Sequence, residues 1–162
     1  MGKLRENLGD YDHCGLASAL EAMGERWSFM ILRAAFNGLH HFEEFQAELG
    51  IARNILAGRL ARLVDHGILE RTALPSDRRK VVYALTEKGA GLLPAMVTLR
   101  QWGETWGRIE SSPTLVDDRD ELPIRPVALY AHDGRPLRLE ELRWKRTGEL
   151  TELGGHREEE EA

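Results

Sequence analysis

Leu49-Gly50-Ile51-Ala52-Arg53-Asn54-Ile55-Leu56-Ala57-Gly58-Arg59-Leu60-Ala61-Arg62-Leu63-Val64-Asp65-His66-Gly67 is the stretch on which the fold turns. From Arg53 to His66, Ile55, Leu56, Leu60, Leu63 and Val64 share one helical stripe. Arg53, Asn54, Arg59 and Arg62 fall largely outside it, so this helix has an apolar face and a cationic one. Gly67 ends it. Just upstream, Phe42, Phe45 and Leu49 recur at steps of three and four, which predicts a short helix closed by Gly50. A short helix joined through Gly50-Ile51 to a basic helix is how a helix-turn-helix presents a recognition element to a DNA major groove.

Working outward from that pair, Ile68 to Leu74 and Lys80 to Leu85 read as strands. The linker Pro75-Ser76-Asp77-Arg78-Arg79 is rich in turn formers, so the pair predicts a hairpin with a basic tip. Arg78, Arg79 and Lys80 there can lie along the phosphate backbone or reach a minor groove. Thr86 is a natural N-cap for a helix running to about Gly107, with Leu92, Met96, Leu99, Trp102 and Trp106 at helical spacing. Pro94 is expected to kink that helix, because an interior proline removes a hydrogen bond. Toward the N-terminus, Leu16, Ala19, Leu20 and Met23 mark one amphipathic helix stopped by Gly24. Trp27, Met30, Ile31 and Ala34 mark another, ended by Asn37-Gly38. The predicted fold class is mainly α with a small β component, a winged helix-turn-helix.

Charge supports the same surface. The chain carries a formal net charge of −5, yet Ile51 to Lys80 holds seven positive residues (Arg53, Arg59, Arg62, Arg71, Arg78, Arg79, Lys80) against Asp65, Glu70 and Asp77. A local excess of +4 inside an acidic chain reads as a phosphate-binding patch or, equally on charge alone, as a chance cluster of solvated charges. Arg53 and Asn54, in the first turn of the basic helix, are assigned to base edges or flanking phosphates. Arg59 is assigned to a base or a phosphate. Arg62 sits deeper, where a salt bridge to Asp65 is an equally good reading.

At 162 residues the chain is long enough for one cored domain plus extensions. No apolar run approaches a membrane span, and the N-terminal residues have no secretory h-region, so a cytoplasmic protein with no membrane partner is expected. One cysteine, Cys14, excludes an intramolecular disulfide and a multi-cysteine zinc site. His40-His41 point to different faces and lack partners at ligand spacing, so no metal and no cofactor are expected. No nucleophile–base pair or phosphate loop is visible, so no catalytic residue is assigned.

Past Ser111-Ser112-Pro113 the texture changes. Val127, Leu129 and Ala131 alternate, Asp133-Gly134 offers a turn, and Leu137 and Leu139 resume the alternation. The expected organisation is a DNA-binding and dimerisation domain over 1–110, a small β-rich appendage over 111–150, and an acidic disordered tail over 151–162.

Several of these motifs together resemble the HxlR family of winged-helix regulators. Gly24-Glu25-Arg26-Trp27 is similar to that family's opening motif. Phe42 to Phe45, Leu49-Gly50-Ile51, Leu56, Arg59-Leu60 and Leu63 resemble its helix-turn-helix. Gly67-Ile68-Leu69-Glu70-Arg71 and Val82 to Gly89 resemble its wing, and Trp102-Gly103 fits its last helix. The likeness runs from Cys14 to Trp106. Ala52, where a Ser or Thr cap is usual, and Gly58, where a polar residue is common, depart from the pattern.

The resemblance implies a homodimer with the first and last helices packing across a two-fold axis, two recognition helices and two wings addressing a pseudo-palindromic double-stranded operator. Leu16, Leu20, Met96, Leu99, Trp102 and Trp106 are the expected dimer face; packing of the same stripe on the chain's own domain is the alternative. Some members of the family sense oxidants or electrophiles through a cysteine just before the first helix. Cys14 occupies that place, as a redox sensor or as a small packing residue. A small-molecule or oxidant effector follows as an expected partner. The competing functional reading is a winged-helix protein–protein assembly module without specific DNA binding.

Overall fold

The computed structural model describes residues 14–74, 77–107 and 113–144, and for 77–79 the backbone only. Six α-helices and a two-stranded antiparallel sheet follow in the order α1 (Gly15–Met23), α2 (Arg26–Phe36), α3 (Phe42–Leu49), α4 (Arg53–Asp65), β1 (Leu69–Leu74), β2 (Asp77–Leu85), α5 (Glu87–Ala90) and α6 (Leu93–Gly107). This is a winged helix-turn-helix of the α+β class. None of the described helices is long and apolar enough to cross a membrane. The chain divides into two compact units at Val127/Ala128.

The core of the larger unit is made by the stripes that bracket the α3–α4 turn. Phe45 from α3, Leu56, Leu60 and Leu63 from α4, Ile31, Leu32 and Ala34 from α2, and Met23, Ile51, Ile68 and Leu69 are all buried. Gly50 turns the chain between α3 and α4 with φ 59° and ψ 23°, a left-handed conformation that glycine adopts without a Cβ penalty. On α2 the buried face is Ser28, Ile31, Leu32 and Ala34, one position round from the expected stripe, with Trp27 packing at the core's edge and Met30 half-buried. On α4, Ile55 stays exposed because it lies at the stripe's solvent edge, while Val64 packs against the core.

Two expectations are corrected. The helix expected from Thr86 to Gly107 is two helices, α5 and α6, separated at Gly91-Leu92. The break puts Pro94 in the first turn of α6, where its missing N–H has no intrahelical partner to lose, so the proline starts a helix and does not kink one. Downstream, the alternating run from Val127 to Leu139 forms no strands. Leu137 N–H donates to Leu129 O and Ala131 N–H to Arg135 O around the Asp133-Gly134 turn, but the only ladder contact there is a Tyr130–Pro136 bridge, followed by a 3-10 turn at Leu139–Glu141. Pro136 supplies no N–H to extend the ladder. The segment from Pro113 to Val127 belongs to the same compact unit as the helices, and the acidic tail lies outside the described residues.

Candidate nucleic-acid interface

The first turn of α4 carries the exposed polar groups of the candidate interface. Arg53 is the first helical residue, and its guanidinium lies 4.7 Å from the centroid of the Phe42 ring, a cation–π contact that aims the side chain along α3. Asn54 is exposed beside it. Ala52 holds the N-cap position in extended backbone with no side-chain cap, so the N–H groups of this turn lack the usual hydroxyl acceptor. Uncapped N–H groups and a nearby cation suit an anionic oxygen.

The wing stands next to that turn because β2 is tied to the entry of α3. Tyr83 N–H donates to His40 O at 2.8 Å, and His41 bridges Val82. The His41 Nδ1 lies 3.1 Å from Val81 O, the geometry of an Nδ1–H donating to that carbonyl. Glu44 closes the other side: its carboxylate accepts from His40 N–H at 3.0 Å and His41 N–H at 2.9 Å. Those two backbone donors, His40 first, hold the Glu44 carboxyl below the usual range, because they stabilise its charged form. A cleft of about 560 Å³ results, lined by Arg53, Lys80, His41, Phe42, Glu43 and Tyr83. Sequence reasoning weighed His41 only as a metal ligand and did not single out Glu44; the signal for both was the acid three residues after the helix cap, half of a capping box.

The remaining predicted cations are placed unequally. Lys80 is exposed on β2, next to Arg53 across the cleft. Arg78 and Arg79 lie on β2, but their side chains are outside the described residues. Arg59 is engaged: its Nη2 pairs with the Glu25 carboxylate at the start of α2. Arg62 is committed to the fold, its Nη2 donating to the carbonyl of Glu21 at the end of α1 and its Nε buried. The structure turns Arg62 to that carbonyl and not to Asp65, because α1 crosses α4 within its reach.

The expected dimer face is likewise divided. Leu16 and Leu20 on α1 and Leu99, Trp102 and Trp106 on α6 are exposed, the last two at 65% and 72%. Met96 is different: it packs against the chain's own core with Leu92, since it sits on the side of α6 facing α2. Cys14 is the N-cap of α1, partly buried and without a side-chain capping bond.

Residues 22–111 match the HxlR-like helix-turn-helix family. Over 88 residues the chain is 44% identical to an uncharacterised HTH-type transcriptional regulator of Mycobacterium tuberculosis; the match covers 54% of this chain and 56% of that protein. The chain thus spans about half the length of that relative. The crystal structure of PA1607, a candidate transcription factor, superposes with a TM-score of 0.78 at 41% identity, covering 83% of this chain and 95% of that one. The oxidised form of the redox regulator HypR gives a TM-score of 0.52 at 29% identity, covering 57% of this chain and 96% of HypR.

Proposed function

The chain belongs to the HxlR-like helix-turn-helix family, and from that premise we propose that it regulates transcription as a homodimer bound to a pseudo-palindromic DNA operator, repressing by excluding polymerase. The observation that carries the reading is the uncapped, exposed first turn of α4, with Arg53, Asn54 and the facing Lys80 around one cleft. A recognition helix reads base edges through its N-terminal turn, and wing cations hold the flanking backbone. Arg53 and Asn54 then address bases or the nearest phosphates, while Lys80, Arg78 and Arg79 contact the backbone. Arg59 joins them only by leaving Glu25. Arg62 supports the helix from behind.

Dimerisation by α1 and α6 fits the exposure of Leu16, Leu20, Leu99, Trp102 and Trp106, since large side chains at such density cost free energy in water until a second surface covers them. Cys14 at the α1 N-cap is the proposed point of redox response. It adjoins the proposed dimer helix, and HypR, a structural relative, is a redox regulator. With one cysteine per chain, a disulfide switch would have to join two subunits.

The test is binding of the purified protein to fragments of its own genome at physiological salt. Enrichment of a few intergenic sites carrying inverted repeats, lost in Arg53→Ala, is expected, with affinity falling steeply as salt rises. Binding that is weak and indifferent to sequence would overturn the reading in favour of a protein-assembly module.

A further inference from the structure

Residues 113–127 form a strap across α6 that is fastened at both ends. Arg100 Nη2 donates to Pro113 O at one end. At the other, Gln101 Oε1 accepts from Val127 N–H at 2.8 Å, and its Nε2 lies 3.4 Å from Arg125 O. Between these anchors the strap folds on itself: Ile124 N–H donates to Leu115 O, Asp117 N–H to Leu122 O, and Val116 bridges Pro123. Asp117 and Asp120 each accept a backbone N–H two residues on, which fixes the turn. The strap leaves a cavity of about 600 Å³ lined by Val97, Arg100, Gln101 and Thr105 of α6 and by Leu115 and Ile124 above them, among others.

We propose that this cavity is a binding site for an uncharged small molecule with an apolar body and a hydrogen-bond acceptor. The volume falls within the range of about 300–1,000 Å³ usual for small-ligand sites, and an apolar lining with a few polar groups is their usual chemistry. The absence of net charge follows from Arg100, whose Nε donates to Glu104 Oε1 at 2.8 Å. The Glu104 carboxylate repels an anionic ligand beside it, and the Arg100 guanidinium repels a cationic one. The guanidinium has five N–H donors, and those not given to Glu104 and Pro113 are the natural partners for an acceptor. Thr105 donates its own hydroxyl hydrogen to Gln101 O at 2.9 Å, so it offers no hydrogen to a ligand acceptor and that role falls to Arg100.

The site and the proposed dimer stripe share α6 but not a face. Val97, Arg100, Gln101, Glu104 and Thr105 recur at steps of one, three and four along one side, whereas Leu99, Trp102 and Trp106 follow the opposite side. An occupant would therefore bear on the helix that carries the dimer stripe without touching the stripe, a consequence that rests on the dimer reading; binding itself does not.

The experiment is a fluorescence titration of the full chain with 6-propionyl-2-(dimethylamino)naphthalene, an uncharged aromatic probe with a ketone acceptor that brightens in apolar surroundings. Saturable binding of one probe per chain is expected. Thr105→Trp fills the cavity from the helix side, and Ile124→Glu charges it from the strap; each should weaken binding about tenfold or more, ~1.4 kcal/mol. Thr105→Trp, at an exposed position, should leave the melting temperature unchanged and so separates loss of the site from loss of the fold. Trp102→Ala should bind as the wild type does. Absence of saturable binding, full binding in both cavity variants, or loss of binding in Trp102→Ala would each overturn the proposal. A monomeric or DNA-indifferent protein that still binds the probe would refute the regulatory reading alone.

Discussion

Replacing glycine by alanine at two helical positions of this protein is expected to move stability in opposite directions. Gly89 lies in α5, buried against the turn from α4 to β1. A Cβ there would overlap the carbonyl oxygen of Ile68, 3.1 Å from its carbon and 3.2 Å from Leu85 Cδ2. The Ile68 carbonyl cannot yield cheaply, because it accepts Thr86 N–H at 3.2 Å, while the Thr86 hydroxyl is held by Gly67 O at 2.6 Å. Overpacking a filled site costs about 1–3 kcal/mol, and disturbing that bond adds about 1 kcal/mol. Against this, alanine is the better helix former by about 1 kcal/mol. The net loss for Gly89→Ala is about 1–3 kcal/mol, a fall in Tm of roughly 3–12 °C for a unit of this size. Gly58 lies in α4, where a Cβ meets nothing within 4 Å. Only the propensity term remains, so Gly58→Ala should gain about 1 kcal/mol. Thermal and urea unfolding followed by circular dichroism measure both. A Gly89→Ala protein as stable as the parent would show that the α5–β1 contact is not as close as the geometry requires, and the reasoning would fail.

Four further outcomes are expected. Glu25→Gln should tighten DNA binding about 1.4- to fivefold by releasing Arg59 from an exposed pair worth ~0.2–1 kcal/mol, and the gain should vanish in an Arg59→Ala background; a gain that persists there would refute the coupling. Trp102→Glu should shift the protein from dimer to monomer in sedimentation equilibrium, whereas a wild-type monomer at tens of micromolar would remove the dimer proposal. Glu44 has its carboxyl held low in the folded state by the His40 and His41 N–H groups, so its contribution is present above the ordinary glutamate range and is lost as pH falls through the lower folded value. The stability difference between wild type and Glu44→Gln in urea should accordingly be largest near neutrality and shrink in acid; a gap that widens in acid would reverse the assigned sign. Cys14→Ser should abolish release of operator DNA by diamide, and unchanged release would leave Cys14 as a packing residue.

Sequence alone was enough for the elements around the α3–α4 turn and for their cationic character. Helical periodicity, Gly50, Gly67 and the Thr86 cap are local signals, and local hydrogen bonding and side-chain spacing set where such elements start and stop. Where a signal was ambiguous in isolation, the structure decided otherwise. Pro94 reads as a kink or as a helix start depending on whether the chain breaks before it, and the Gly91-Leu92 break made it a start. The alternation after Val127 had no partner strand of sufficient length to become a sheet. The tertiary structure alone decided which side chains remain available for function. Arg59 and Arg62 look alike in sequence, yet each is engaged by a group 34 and 41 residues earlier in the chain. Met96 and Leu99 belong to one apolar stripe, yet one packs on the core and the other faces outward. The physical reason is common to all of these: spacing along a helix says which residues share a face, but only the crossing of one helix over another says what that face meets.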